Sequence, residues 1–316
     1  MDQVARAAGR AREGFAHEVV FYDGAADRAR ALLPFVREGI ELGEPVLAAL
    51  PPAAVHALRE GLGRDADRVE FADMVEVGAN PACLLPVWHR FVDEHGATRV
   101  RGIGEPAWAG RRDEEMVEAQ LHEALLNVVF DDGPDWRLLC AYDTSRLPDW
   151  VIEEARRTHP VMHDRAHPSV RYAGLEHAVE AFGMKLPMPP VGAPRHEFAI
   201  GDLGDLRDRV QRAALDAGLS PATAEDLVLA AHELATNSVV HAGGHGVLEL
   251  WHEAGALVVQ VEDGGHIEDP LVGLAEPDCA ALGGRGIWMV NQLCDLVQVR
   301  SDGWGTQVRL YAWLDD

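Results

Sequence analysis

Residues 221–241, with the sequence PATAEDLVLAAHELATNSVVH, decide the fold of the second half of the chain. Ser220 stands before the stretch and a proline opens it, a pair typical of a helix start, because serine caps free N–H groups and proline fits the first turn. Most positions are apolar, but Glu233, Asn237 and His241 recur every fourth residue and share one stripe of the predicted helix. Polar groups on an otherwise apolar helix are costly to bury without partners. The stripe is therefore either a solvated helix edge or part of a site.

Three glycine clusters downstream favour a site. Asp263–Gly265 ends a predicted strand, Gly283–Gly286 precedes a predicted short helix, and Gly303–Thr306 leads into the last predicted strand. Any one of them alone would be an ordinary turn. The backbone amides of Gly283–Gly286 could, however, wrap phosphate oxygens at a helix start. The helix and the three clusters are hard to obtain in this order by chance.

The elements predicted around these motifs form an α+β two-layer sandwich. Strands are predicted at 196–200, 247–252, 257–262, 297–300 and 306–313, and helices at 203–217, 221–240 and 287–294. Antiparallel strands on one side with helices on the other are typical of such a sandwich.

Together the motifs resemble those of the GHKL (Bergerat) ATPases, the superfamily of gyrase, Hsp90, the histidine kinases and MutL. E-L-A-T-N-S-V-V-H at 233–241 resembles the N box, Asp263–Gly265 the G1 box, Gly283–Gly286 the G2 box and Gly305-Thr306 the G3 position. The resemblance covers about residues 194–313. Because the lid is very short, the chain is most similar to the compact anti-sigma-factor serine kinases (RsbW/RsbA-like).

This resemblance implies a site for ATP and Mg²⁺. Asn237 would coordinate Mg²⁺, and Glu233 would be the general base, which in the serine-kinase branch activates a substrate serine rather than water. Asp263 would accept the adenine amino group with Thr306 nearby, and Gly265 would allow the base to approach closely.

The resemblance also assigns the triphosphate end and the partners. Gly284 and Gly286 would let backbone N–H groups reach the phosphates, and Arg285 would add the charge that a lysine supplies elsewhere. The partners would be a sigma factor and an anti-anti-sigma protein phosphorylated on serine, and the chain would form a homodimer, as compact kinases of this branch commonly do. The enzyme would be an ATP-dependent protein serine/threonine kinase.

Two departures from the family pattern leave a second function open. The G1 box usually has another glycine where Ile267 stands, and Arg285 is the only basic residue between Asp263 and Gly286. The alternative is a nucleotide-binding module that sequesters its partner and is switched by the sensor ligand without kinase turnover. Clamps of the gyrase or MutL type add a transducer domain where this sequence ends, and histidine kinases need a phosphoacceptor hairpin where this sequence has an α/β pattern.

The first half alternates strand and helix signals. Strands are predicted at 17–22, 45–50, 69–74, 99–104 and 136–142, and helices at 26–41, 51–60, 86–94, 113–130 and 148–157. This alternation predicts an α/β domain with a wound, mostly parallel sheet. No glycine-rich phosphate loop follows the first strand, so the pattern is not that of a Rossmann domain.

Residues 15–165 resemble the MEDS sensory domain, a RecA/KaiC-like fold that lacks a functional P-loop. The resemblance implies that the domain senses a small molecule or signal, without fixing its identity. The matching residues are His17-Glu18, Phe21–Asp23, Gly43–Val46, Gly102–Pro106 with Trp108, Gln120–Asn127, Tyr142-Asp143 and His159-Pro160. The predicted domain layout is a flexible N-terminus at 1–14, the MEDS-like domain at 15–182, a proline-rich linker at 183–194 and the ATPase domain at 195–316.

Candidate residues for the sensed ligand lie where parallel strands end and on one helix. Glu105, Tyr142 and Asp143 fall at the carboxyl ends of predicted strands, where open α/β sheets bind ligands. The remaining candidates are Trp108, His122, Glu123 and Asn127. The alternative is structural: Glu105 caps a helix, Tyr142 belongs to the core, and Glu123 lies in a buried hydrogen-bond network.

Four histidines of this half, His17, His89, His122 and His159, raise the question of a metal site. No two of these four histidines are spaced as in H-x-x-x-H, and the half has no C-x-x-C motif. The spacing therefore does not predict a metal site there.

Composition narrows the function classes. The net charge is −24 and Lys185 is the only lysine, which excludes a P-loop and a eukaryotic-type protein kinase because both need a lysine in their motifs. Residues 194–316 carry seven basic and twenty acidic side chains, and residues 1–193 carry 21 and 32, so neither half offers the basic face that nucleic acids require. No apolar run of about 18 residues predicts a membrane span. The scattered cysteines indicate reduced thiols and a cytoplasmic location.

Overall fold

The computed structural model describes residues 14–96, 98–165, 167–253, 255–277 and 285–314. The chain divides into two compact units, Met1–Ala178 and Val179–Asp316. Gly284 of the expected G2 box and nearly all of the expected flexible segment 1–14 lie outside the described residues. The domain boundaries drawn from the sequence stay a prediction.

The first unit contains a seven-stranded sheet in the order β3-β2-β4-β5-β1-β6-β7. Its strands are β1 (Ala16–Tyr22), β2 (Val46–Leu50), β3 (Val69–Asp73), β4 (Val100–Gly104), β5 (Trp136–Asp143), β6 (Val161–Met162) and β7 (His167–Pro168). All neighbours pair in parallel except β6 and β7. The predicted wound, mostly parallel sheet is confirmed, while its likeness to RecA and KaiC stays a prediction.

Six α-helices connect these strands within the described ranges of the first unit. They are α1 (Gly24–Leu42), α2 (Pro52–Leu62), α3 (Met74–Val77), α4 (Leu84–Glu94), α5 (Asp113–Val129) and α6 (Asp149–Thr158). A further helix, α7 (Glu176–Phe182), follows the last strand and spans the boundary between the two units. The sequence did not predict α3, α7, β6 or β7, because elements this short show too little periodicity.

The sheet of the first unit is buried on both faces. All five residues of β2 and of β4 are buried, which explains why their sequences read as unbroken runs without alternation. On one face Phe35 and Val36 of α1 join the core. On the other face a Cβ atom on Gly102 would lie 2.8 Å from Leu138 Cδ1 and 2.9 Å from Trp88 Cζ3. Glycine at 102 therefore lets the tryptophan pack directly on β4.

The second unit is an antiparallel five-stranded sheet in the order β11-β12-β10-β9-β8. Its elements are β8 (Arg195–Ala199), α8 (Leu203–Asp216), α9 (Pro221–His241), β9 (His245–Glu253), β10 (Ala256–Asp263), α10 (Arg285–Leu293), β11 (Leu296–Asp302) and β12 (Gly305–Trp313). The main core lies between the sheet and the helices, with residues such as Leu227 and Leu234 of α9 and Val259 and Leu310 of the strands. The predicted α+β two-layer sandwich is confirmed.

The other face of this sheet meets the proline-rich stretch at 183–194. Arg309 donates to the carbonyl oxygen of Pro187 at 2.6 Å, and the N–H of Leu186 donates to Gln307 Oε1 at 3.1 Å. Ala193 packs against the small cluster around Trp251. The stretch is thus attached to the second unit by specific bonds.

Among the residues described, no helix combines the length and the apolar character needed to cross a bilayer.

Candidate functional site

An open cleft of about 260 Å³ lies in the second unit, between α9, the end of β10 and the starts of α10 and β12. The residues of the sequence motifs that line it are Asn237, His241, Asp263, Gly265, Gly286 and Thr306, and Ser238 and His266 add further polar groups. Its apolar lining includes Leu234, Val261, Ile267, Val272, Ile287 and Val308. An apolar wall with a few convergent polar groups is the usual build of a small-molecule site.

Asp263 is held in place by two donors at the end of β10. Its Oδ2 accepts a hydrogen bond from Ser238 Oγ at 2.6 Å, and its Oδ1 accepts one from the N–H of Gly265 at 2.8 Å. Each carboxylate oxygen can accept a further bond, so Asp263 can still bind a donor in the cleft. A Cβ atom on Gly265 would lie 2.7 Å from Ala242 Cβ, so glycine is needed where this turn meets the end of α9.

Two hydroxyl groups fix the turn that follows Asp263. Thr306 Oγ1 donates to the carbonyl oxygen of Gly265 at 3.0 Å and lies 2.9 Å from Ser301 Oγ. The N–H of Ile267 donates to Ser301 Oγ at 2.9 Å. The isoleucine that replaces the expected second glycine of the G1 box is therefore accommodated, and its side chain forms part of the cleft wall.

Glu233 and Asn237 meet the start of α10. A Cβ atom on Gly286 would lie 2.8 Å from Glu233 Oε1 and 2.9 Å from Asn237 Nδ2, so only glycine lets this backbone pass so close to both side chains. Glu233 faces a neighbouring wide hollow of about 570 Å³, which Gly286 and the exposed Arg285 also line. The sequence-predicted residues of α9, β10, α10 and β12 thus surround two adjoining spaces.

Sequence reasoning missed two serines at this site: Ser238, which lines the cleft, and Ser301, which bonds to the lining residues Ile267 and Thr306. Ser238 is buried on α9 directly after Asn237 and orients Asp263. Ser301 lies on β11, opposite Thr306 of β12. A buried serine beside a motif asparagine was the only local sign for the first, and strand pairing was needed to find the second.

The first unit contains a second cluster of polar residues, and this cluster is buried. His17 of β1, Glu123 of α5, Cys140 of β5 and His159 at the end of α6 are all buried, and one N, O or S atom of each lies within 4.8 Å of the others. We call these four residues the buried cluster. Glu123 Oε2 lies 3.5 Å from His17 Nε2 and 3.1 Å from His159 Nε2, and His17 Nε2 lies 3.4 Å from Cys140 Sγ.

Burial shifts the protonation equilibria of this cluster. It lowers the pKa of His159 to about 4, and it raises the pKa of the Cys140 thiol well above its ordinary value, with a further increase from the nearby charge of Glu123. Tyr142 donates to Glu123 Oε2 at 3.4 Å, and Asn127 Oδ1 lies 3.2 Å from His17 Nδ1. Three candidate sensor residues, Glu123, Asn127 and Tyr142, therefore belong to one buried network.

Glu105 and Asp143 lie at the carboxyl ends of β4 and β5. Glu105 Oε1 accepts from the Tyr22 hydroxyl at 2.8 Å, while its Oε2 lies 3.6 Å from Arg28. Burial raises the pKa of Glu105, although the bonds to Tyr22 and the charge of Arg28 oppose the shift. Asp143 Oδ1 accepts from the N–H of Gly24 at 3.1 Å. Both carboxylates are buried and bonded within the domain.

The last two candidate sensor residues, His122 and Trp108, lie near Arg111. His122, Glu123 and Arg111 line a cavity of about 10 Å³, room for about one water molecule. The guanidinium of Arg111 stacks 4.3 Å from the Trp108 ring centroid and donates to the carbonyl oxygen of Gly78 at 2.7 Å. Sequence reasoning missed Arg111, for which the nearby tryptophan gave the only sign.

Comparisons with known proteins assign each unit to a domain family. Residues 16–160 match the MEDS family, described as the methanogen/methylotroph, DcmR sensory domain, and residues 198–312 match the histidine kinase-like ATPase domain. The second match implies nucleotide binding. No curated protein sequence matches the chain.

Two solved structures show weaker likenesses. One contains the RsbU and RsbW domains of Rv1364c from Mycobacterium tuberculosis, at 18% identity, 38% coverage of this chain, 32% coverage of that chain and a TM-score of 0.29. The other is the histidine kinase AdeS of Acinetobacter baumannii, at 11% identity, 62% coverage of this chain, 94% of that chain and a TM-score of 0.24. The chain thus spans about a third of the length of the first structure, and the domain assignment depends on the two family matches.

Proposed function

Because the chain joins a MEDS sensory domain to a histidine kinase-like ATPase domain, we propose that it is an anti-sigma regulatory kinase. It would bind ATP and Mg²⁺ together with a sigma factor, phosphorylate an anti-anti-sigma protein on serine, and respond to a ligand of its sensory domain. The observation that carries the proposal is the gathering of Glu233, Asn237 and Asp263 around one cleft and its adjoining hollow.

The deep end of the cleft suits an adenine ring. Asp263 is oriented by Ser238 and Gly265 and would accept the adenine amino group, with Thr306 beside it. Ile267 and the other apolar lining residues would cover the faces of the ring. Because two donors already fix this carboxylate, little further conformational entropy is lost when it binds a ligand N–H.

The start of α10 suits the triphosphate. Gly286 lies against Glu233 and Asn237, and the first N–H groups of a helix attract anions. Arg285 would add a positive charge, and Gly284 would continue this phosphate loop. Carboxylate and carboxamide oxygens are ligands that Mg²⁺ accepts, so the side chains present fit the ion, with Asn237 as its main ligand. Bound there, Mg²⁺ would neutralise phosphate charge.

Glu233 would act as the general base. It lies in the wide hollow beside Gly286, where a protein substrate could present a serine. Glu233 would take the proton of the serine hydroxyl, the serine oxygen would bond to the γ-phosphorus, and the bond to ADP would break. Phosphoryl transfer depends mainly on such positioning and on charge stabilisation, which a site without lysine can supply.

Label transfer tests this proposal. The full chain is incubated with γ-labelled ATP, Mg²⁺ and the anti-anti-sigma protein that co-purifies with it. We expect label on a serine of the partner, and we expect Glu233→Gln to abolish that label while nucleotide stays bound. Nucleotide binding by the folded chain without any label transfer would exclude the kinase.

A second candidate function is sequestration of the partner without turnover. Its support is the departure of Ile267 from the glycine pattern, together with Arg285 as the only arginine or lysine between Asp263 and Gly286, which leaves little positive charge to stabilise the transition state. Under this function Glu233→Gln would leave partner release in cells unchanged, whereas the kinase function requires release to fail. Partner release by Glu233→Gln in cells therefore separates the kinase function from the sequestration function.

A further inference from the structure

The buried cluster has the dimensions of a tetrahedral metal site. A zinc ion bound to nitrogen, oxygen and sulfur at about 2.0–2.3 Å holds its ligand atoms about 3.3–3.8 Å apart. Two separations fall in this range, 3.5 Å between His17 Nε2 and Glu123 Oε2 and 3.4 Å between His17 Nε2 and Cys140 Sγ. His159 Nε2 lies slightly closer to Glu123 Oε2, at 3.1 Å, and all the ligand atoms lie within 4.8 Å of one another. Four potential ligands from four elements thus surround one point at close to coordination spacing.

The hydrogen bonds around His17 turn the lone pair of its Nε2 toward that point. Asn127 Nδ2 donates to the carbonyl oxygens of Glu123, Ala124 and Thr158, at 3.3, 3.3 and 2.8 Å. These acceptors fix the carboxamide with Oδ1 facing His17 Nδ1, so Nδ1 carries a proton and, in the neutral ring, the Nε2 lone pair faces the other ligands. A ring nitrogen that donates to a fixed acceptor while the other faces the ion is the usual arrangement of a metal-binding histidine.

His159 shows the same arrangement independently. Its Nδ1 lies 2.7 Å from the carbonyl oxygen of Ala155, which can only accept, so Nδ1 carries the proton. Its Nε2 is buried without a hydrogen-bond partner, although it lies 3.1 Å from Glu123 Oε2. A nitrogen lone pair and a carboxylate oxygen at this distance repel unless a proton or a metal ion lies between them.

We propose that His17, Glu123, Cys140 and His159 bind one Zn²⁺ ion inside the sensory domain. Imidazole nitrogens and a thiolate select a zinc-class ion over Mg²⁺ or Ca²⁺, which prefer oxygen. One carboxylate, one thiolate and one divalent cation sum to zero charge, which reduces the cost of burying each of them. With four protein ligands the ion holds β1, β5, α5 and the end of α6 together.

Metal analysis of the full chain is the first test. The chain is purified from zinc-supplemented cells, and zinc per chain is measured by inductively coupled plasma mass spectrometry. We expect about one ion per wild-type chain, and at least a tenfold lower content in Cys140→Ser and His159→Gln. His177→Gln, at another buried histidine of the same unit, is the matched control and should keep the ion.

Cobalt substitution reports the ligands directly and does not depend on the variants being as stable as wild type. The chelator-treated wild-type chain is titrated with CoCl₂, and we expect the visible bands of tetrahedral cobalt together with a near-ultraviolet thiolate-to-cobalt band. Cys140→Ser should lose the near-ultraviolet band. A folded wild-type chain that takes up neither zinc nor cobalt, or variants that bind as much metal as wild type, would overturn the site. The cluster would then be a proton-sharing network between His159 and Glu123.

Discussion

Glu233 and Glu123 both lie on long helices flanked by apolar residues, yet their surroundings differ. Glu233 is half-buried beside an open hollow and faces a glycine backbone. Glu123 is 2% exposed and contacts His17, His159 and the Tyr142 hydroxyl. A carboxylate that a substrate can reach can exchange ligands and protons with it, whereas a buried carboxylate contacts only its fixed neighbours. This difference agrees with the turnover proposed for the second unit and with a static role for the buried cluster of the first.

Removing the open carboxylate should have the largest effect. Glu233→Gln keeps the size of the side chain but cannot take a proton, and positioned bases contribute about 10²–10⁴-fold to a rate. We expect label transfer to the partner protein to fall by that factor, with nucleotide affinity within about threefold of wild type. Glu225→Gln, on the exposed face of the same helix, should leave both unchanged. Equal rates of label transfer in Glu233→Gln and wild type would show that Glu233 is not the general base.

The nucleotide affinity itself should depend on Asp263. Asp263→Asn replaces an oxygen that accepts from Ser238 or Gly265 with an N–H₂ group, and a hydrogen bond to a charged group contributes about 1.5–3 kcal/mol. We expect MgATP to bind roughly 10–100-fold more weakly, as measured by isothermal titration calorimetry. Asp269→Asn in the exposed loop after the cleft is the control. Unchanged affinity in Asp263→Asn would mean that the nucleotide lies elsewhere.

Two adjacent glycines give a matched test of the cleft floor. A Cβ on Gly265 would lie 2.7 Å from Ala242 Cβ and 3.0 Å from Asp263 Oδ1, whereas a Cβ on Gly264 meets nothing within 4 Å. Gly265→Ala should therefore weaken MgATP binding by about tenfold, since a shift of the turn costs on the order of 1–3 kcal/mol. Gly264→Ala should bind like wild type. Similar affinities for the two variants would contradict the tight approach at Gly265.

These site residues could be predicted because they lie in short motifs. The helical period alone aligns Glu233 with Asn237, and α9 begins at the predicted residue and ends one residue later than predicted. Asp263 and Gly265 follow a strand that alternates clearly enough to be recognised. The sequence alone was therefore enough to locate these residues on one helix and at the end of one strand.

The buried cluster could not be predicted from spacing. His17 and Cys140 are 123 positions apart and come together because β1 and β5 pair in parallel, with Val19 opposite Cys140. Motif rules such as H-x-x-x-H examine one helix, whereas these ligands come from two strands and two helices. The MEDS resemblance singled out His17, Glu123 and His159, but neither it nor their spacing indicated that they meet each other and Cys140.

Removing the charge of Glu105 in the first unit should have a smaller effect, and that effect should be on thermal stability. Burial raises the pKa of Glu105, so the folded state binds more protons than the unfolded chain, and stability falls as pH rises above the ordinary carboxyl value. Glu105→Gln cannot ionise and keeps an oxygen for the Tyr22 hydroxyl. We expect its melting temperature by calorimetry to exceed that of wild type by about 2–4 °C at pH 7 and to match it at pH 4. The exposed Glu41→Gln is the control, and a lower melting temperature for Glu105→Gln at pH 7 would reverse the sign of this argument.

Calorimetric titration of MgATP into the full chain tests the account most directly, because every role proposed for the second unit depends on an occupied cleft. The account predicts one site per chain that is kept in Glu233→Gln and Gly264→Ala and is weakened at least tenfold in Asp263→Asn and Gly265→Ala. The account would be contradicted by a folded wild-type chain that binds no nucleotide, or by an MgATP affinity that is the same in wild type, Asp263→Asn and Gly265→Ala.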